Sequence, residues 1–182
     1  QLEAGSYPTS YIPTYGTSVT RSKEVCDLLS SPDIVDQDNC TAFIEYEYGN
    51  STGSSGTTIL GIHDGTTTAN RIQIVNRYSG IVLFSAASGS TYISGAPIAS
   101  SLSKGDVVKI ALVINTQGIT AFYNGTKVYT PTAAPVWSAV MDDLFIGSRS
   151  GVGEYGSGQG VKQAAIFPTA LTDSECIALT TL

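Results

Sequence analysis

Glu45 and Glu47 alternate along FIEYEYGN, so on a strand their carboxylates leave the same face about 7 Å apart. Carboxylates at such separations serve glycosidases, one as nucleophile or base and the other as acid. No third carboxylate joins them in register, and the expectation is two solvated positions opposite buried Ile44, Tyr46 and Tyr48. His63 is the only histidine, so any Ser-His-Asp or Cys-His arrangement must use it. Asp64 follows directly and points to the opposite side of a strand, so it cannot orient the imidazole. A surface histidine is expected.

Gly151-Val152-Gly153-Glu154-Tyr155-Gly156 satisfies GxGxxG. A dinucleotide site needs a helix N-terminus after the glycines, whereas VKQAAIF reads as a strand, so the segment is expected to be an inter-strand loop. Asp33, Asp36 and Asp38 with Asn39, and Asp142 with Asp143, supply oxygen ligands that could hold Ca²⁺. The EF-hand spacing is missing, so no cofactor is expected and no calcium site is assigned. Cys26, Cys40 and Cys176 include no CxxC and lie near no histidine, which argues against zinc. Buried free thiols are expected, with a Cys26–Cys40 pair open if the protein is extracellular.

The elements that would position these residues are short. Runs rich in Ile, Val, Tyr, Phe and Thr, separated by Gly, Asn, Asp and Ser, predict strands near 41–48, 57–63, 70–77, 80–86, 90–94, 106–114, 118–124, 126–130, 142–147 and 160–167. Asn124-Gly125 signals a type I′ hairpin over 118–130, because both central residues must take positive φ. KIALVIN is apolar on both faces, as a covered central strand should be. Thr172-x-x-Glu175 forms a capping box, and Cys176, Leu179 and Leu182 then recur at helical spacing. That helix is about two turns long and must dock to persist. Residues 1–20, with Tyr7, Tyr11 and Tyr15 among Pro and Thr, read as an extended connector leading into one domain over 21–182. The fold class is all-β: a two-sheet antiparallel sandwich or a barrel with one terminal helix.

The chain has 182 residues and a formal net charge of −6, its nine basic residues scattered, which argues against nucleic acid and anionic membrane as partners. No apolar run approaches the roughly 18 residues of a membrane span. Only 13% of residues are charged, against about 25% in an average soluble domain, leaving a neutral surface rich in hydroxyls.

VVKIALVINTQGITAFYNGTKVYT, DDLFIGSRSG and VKQAAIFPTALTDSECIAL together resemble the central hairpin, the following Ile-Gly strand and the closing strand and helix of laminin G-like members of the concanavalin A-like superfamily. The resemblance spans about 35–182 and implies a jelly-roll sandwich. The Glu-x-Asp-x-x-Glu strand of its glucanase branch is absent, so it implies no enzyme. QLEAGSYPTSYIPT resembles a segment of bacteriophage tail and fibre proteins that leads into a lectin-like domain. That likeness implies a virion module, or otherwise an extracellular one, contacting a host-surface glycan or protein beside other virion proteins. A homotrimer is the favoured assembly, the connector tyrosines offering contact area.

Sugars are held by an exposed ring with short polar groups nearby. Two sites meet that description: Tyr155 in the Gly-rich loop with Arg149, Glu154 and Gln159, and Trp137 in APVWSAV, which equally suits a plug between strands. The Gly-rich loop is the favoured site, since five glycines in ten residues suit close backbone approach to a ligand.

Overall fold

A computed structural model describes residues 13, 15–18, 26–49, 56–65, 69–77, 80–89, 91–147 and 160–182. The elements run in the order β1 (Cys26–Leu28), β2 (Asn39–Glu47), β3 (Thr57–His63), β4 (Arg71–Arg77), β5 (Ile81–Ser88), β6 (Thr91–Ala99), β7 (Val107–Asn115), β8 (Gly118–Tyr123), β9 (Thr126–Tyr129), β10 (Asp143–Ile146), β11 (Gly160–Phe167) and α1 (Asp173–Thr180). They build two antiparallel sheets, one ordered β1-β10-β3-β4-β5-β6 and the other β11-β2-β7-β8-β9. The protein is an all-β sandwich with one short C-terminal helix, as the sequence predicts.

Alternation along each strand decides what the sheets bury. Ala42, Ile44, Tyr46, Ile110, Leu112 and Ile114 of the five-stranded sheet meet Leu60, Ile62, Ile72, Ile74, Val82 and Phe84 of the six-stranded sheet in a single core. Tyr46 carries a polar tip into that core, where its hydroxyl donates to Asn76 Oδ1 at 2.6 Å, both residues being buried. Tyr48 reaches across in the same way: its hydroxyl donates to the Arg77 carbonyl at 2.9 Å and accepts from the Gly80 amide at 3.1 Å. These bonds tie β2 and the residue after it to the β4–β5 connection.

The outer face of the five-stranded sheet is apolar and is closed by the helix. Phe43, Ala111, Val113 and Phe122 pack there against Cys176, with Leu179 beside them. Both faces of β7 are thus occupied, as KIALVIN requires. The capping box forms, with the Glu175 amide donating to the Thr172 hydroxyl and the Thr172 amide donating to the Glu175 carboxylate. The far end of the helix docks on the Asn124-Gly125 turn, whose residues take φ of 42° and 81°. There the Gly125 amide donates to Thr180 Oγ1 at 3.1 Å.

Several expectations change. Leu182 is 71% exposed, so the buried helix face is carried by Cys176 and Thr180, with Leu179 half-buried. Cys26 is an exposed free thiol, whereas Cys40 and Cys176 are buried and free. It lies on β1, a three-residue strand too short to carry a local pattern, which pairs with β10 through Cys26↔Ile146 to Leu28↔Leu144.

Candidate functional site

The outer face of the six-stranded sheet differs from that of its partner. Between the inward-facing Leu60, Ile62, Ile72, Ile74, Phe84, Ala86, Leu144 and Ile146, strand alternation turns Gly61, His63, Arg71, Gln73, Ser85, Phe145 and Asp143 outward. Register aligns them in two rows. Phe145 stands beside Gly61, then Gln73, then Ser85, while Asp143 stands beside His63, then Arg71.

His63 is only 2% exposed and its ring lies flat on Phe145, with centroids 4.2 Å apart and planes at 10°. The expectation of a surface histidine is therefore wrong. Its local surroundings, Asp64 and Gly65, look like a strand end, and the ring that covers it comes from β10. Nδ1 accepts the Gly65 amide at 2.9 Å, which leaves the proton on Nε2. Burial lowers the imidazole pKa, opposed by the charges of Asp143 and Asp64, so the ring favours the neutral form. Asp143 is a structural anchor: its Oδ1 accepts the Ser30 amide at 2.5 Å. Gly65 takes φ +73°, and a Cβ there would collide with the Asp143 carboxylate. That position must stay glycine for the β3 turn to close on β10.

Gln73 donates through Nε2 to Ser85 Oγ at 2.9 Å, fixing its amide across β4 and β5. Its Oε1, His63 Nε2 and Arg77 Nε are buried atoms with no hydrogen-bond partner. A buried polar group left unbonded costs about 1–3 kcal/mol, so three on the outer side of two adjacent strands need a reason.

At the Asp143 end of this face, three connections are knotted together. Asn70 Oδ1 accepts from the Gly89 amide at 2.8 Å and from Ser138 Oγ at 2.6 Å, while Asn70 Nδ2 donates to Asp64 at 2.7 Å. The Ser138 amide completes the knot by donating to Ser88 Oγ at 2.7 Å. The knot holds the segment bearing Trp137, which is half-buried against the sandwich core with its indole N–H enclosed and unbonded.

Tyr155, Arg149, Glu154 and Gln159 lie outside the described residues. Glu45 and Glu47 belong to the other sheet: Glu45 is 3.8 Å from Lys109 Nζ, whose ammonium also donates to the Thr181 carbonyl at 2.9 Å. Asp36 accepts the Asp38 amide at 2.8 Å within its own turn, and among the described residues no group of three or more His, Cys, Asp or Glu is placed to hold a metal. The signal for Gln73 and Arg77 was present in RIQIVNR, where polar residues alternate with Ile72 and Ile74, but nothing local marks which sheet face they leave.

No family model and no curated protein matches the chain. Among solved structures, the CBM40 of Ruminococcus gnavus IT-sialidase bound to α2,3 sialyllactose is similar with a TM-score of 0.62 and 17% identity, over 80% of this chain and 83% of that one. The chain shares that module's fold. The leech intramolecular trans-sialidase is 16% identical at a TM-score of 0.60, over 79% of this chain and 23% of the enzyme. Trypanosoma rangeli sialidase in complex with sialic acid is 12% identical at 0.60, over 79% of this chain and 22% of that one. The described sandwich therefore has the jelly-roll fold that these structures share, and it corresponds to less than a quarter of each of the two larger proteins.

Proposed function

We propose that this chain is a non-enzymatic glycan-binding module, and that its binding face is the outer side of the six-stranded sheet. The observation that carries the reading is the contrast between the two outer faces: the helix closes that of the five-stranded sheet, whereas that of the six-stranded sheet presents the partly exposed side chains of Arg71, Gln73 and Arg77 along one strand. A sugar hydroxyl both donates and accepts, so it can pair with guanidinium and amide groups alike. The R. gnavus module, similar in fold, is bound to sialyllactose. Glu45 supports the non-enzymatic side of the reading, since its ion pair with Lys109 lies on the sheet covered by the helix.

The biological setting follows from the N-terminal QLEAGSYPTSYIPT and its resemblance to phage tail and fibre segments. In this reading the module sits on a virion, is trimeric, and meets a glycan of the host surface. A glycan array and whole-cell binding, run with the parent and with Gln73→Met and Arg77→Ala, test it. Binding by the parent and its loss in both variants is the expected result. Glycan binding that both variants keep would move the site elsewhere, and no binding by any form would leave a purely structural module.

A further inference from the structure

We propose that Asn124-Gly125 is a modification site gated by the terminal helix: the docked helix keeps the pair inert, and its release lets Asn124 convert to aspartate or isoaspartate. The chemistry belongs to the pair itself. After losing its proton to a base in solvent, the Gly125 backbone nitrogen attacks Cγ of Asn124. A C–N bond forms, the Cγ–Nδ2 bond breaks and ammonia leaves; water then opens the cyclic imide at either carbonyl. Glycine has no Cβ to obstruct that approach, and Asn124-Gly125 is the one Asn-Gly pair in the sequence.

The fold withholds both reacting groups by bonding them to different elements. The carboxamide is pinned to β7, where Oδ1 accepts the Lys109 amide at 2.8 Å and Nδ2 donates to the Val107 carbonyl at 3.2 Å. The nitrogen that must attack it is held by α1, the Gly125 N–H donating to Thr180 Oγ1 at 3.1 Å. Attack therefore requires the nitrogen to leave the helix and the carboxamide to leave the strand. Asn124 and Gly125 are partly exposed, so water reaches the turn and only these bonds restrain it.

Helix, turn and strand close as a unit. Thr180 is buried, and its hydroxyl donates to the Cys176 carbonyl at 2.7 Å, which leaves its oxygen as the acceptor for Gly125. Thr181 lies directly over the turn: a Cβ on Gly125 would come within 3.1 Å of Thr181 Oγ1. Lys109 fastens both sides, its amide bonded to Asn124 and its ammonium donating to the Thr181 carbonyl at 2.9 Å. Undocking the last turn of α1 thus frees the Gly125 nitrogen and loosens the strand that holds Asn124.

The product does not restore the turn. Aspartate at 124 has no N–H for the Val107 carbonyl and sets an oxygen against it, while isoaspartate routes the backbone through the side chain and adds a methylene to the turn. Each release of the helix is thereby recorded as a covalent change.

The test incubates the whole chain at constant pH and temperature and follows the Asn, Asp and isoAsp forms of the peptide containing residue 124 by chromatography and mass spectrometry. Conversion in the folded parent is expected to be roughly tenfold or more slower than in urea, because the rate follows the population of the opened form. Thr180→Val removes the acceptor of the Gly125 amide, and Thr172→Ala is an exposed change at the far end of the helix that touches neither residue of the pair. Each is expected to speed conversion in the folded protein by about fivefold. Tyr46→Phe, which weakens the core away from the helix, should convert at the parent's rate. A folded parent as fast as the chain in urea, or a parent-like rate in either helix variant, overturns the gate, and Thr172→Ala alone decides if Thr180→Val does not fold. Equal acceleration by Tyr46→Phe also overturns it, since global unfolding rather than helix release would then expose the pair.

Discussion

The Tyr46 hydroxyl donates to Asn76 Oδ1 at 2.6 Å through the middle of the sandwich, joining the two sheets by a polar bond inside an apolar core. Burial holds the Tyr46 phenol above its ordinary pKa, so it stays protonated and remains a donor. Tyr46→Phe keeps the ring but leaves Asn76 Oδ1 unbonded, with Asn76 Nδ2 already without a partner. The expected loss is about 1–3 kcal/mol in urea unfolding. An unchanged midpoint would show that the bond contributes nothing net.

The terminal helix acts as a latch on the five-stranded sheet. Thr172→Ala removes half of the capping box and should cost about 1 kcal/mol. Leu179→Ala strips a half-buried side chain from the cluster around Phe43 and Phe122 and should cost about 1–2 kcal/mol. Neither should alter glycan binding well below the melting temperature, because the helix and the proposed site are on different sheets. Melting temperatures equal to the parent's in both variants would mean that the helix is not docked.

The thiols should separate sharply under a thiol-reactive dye. Burial pushes Cys40 up to about 12 and Cys176 up to about 11, and neither is accessible, whereas Cys26 is exposed. One equivalent should react in the native protein and three after denaturation. Three fast equivalents in the native state would contradict the burial of the core and the helix face.

His63 should make stability depend on pH. Burial lowers its folded pKa, while the unfolded chain titrates near the ordinary value of about 6.5. The unfolded state then binds the proton more readily, so the contribution is present above about 6.5 and is lost as pH falls through that value toward the lowered folded one. Melting temperature should drop between pH 7 and 5.5, with a shallower slope in His63→Gln. Equal slopes in the two proteins would remove His63 as the cause.

Local signals sufficed wherever they fixed the backbone. Asn124-Gly125 announced its turn because two positive φ angles are required there, and Thr172 with Glu175 announced the helix start because the capping box is contiguous. The strand 57–63 was readable to the residue, from its run of Thr, Ile and Leu. The environment of His63 was not readable, since its stacking partner Phe145 lies 82 residues away and reaches it only through the β10–β3 register. The same holds for Gln73 and Ser85: alternation says they share a face, but only the sheet order says that this is the face opposite the helix.

The claim that the outer face of the six-stranded sheet holds the ligand is tested most directly by amide chemical-shift mapping with the strongest binder from the glycan array. The account predicts that shifts cluster at Gly61, His63, Arg71, Gln73 and Ser85, while Thr120, Lys127 and Cys176 on the helix-covered side stay still. Shifts confined to the latter three, with the first five unmoved, would contradict it.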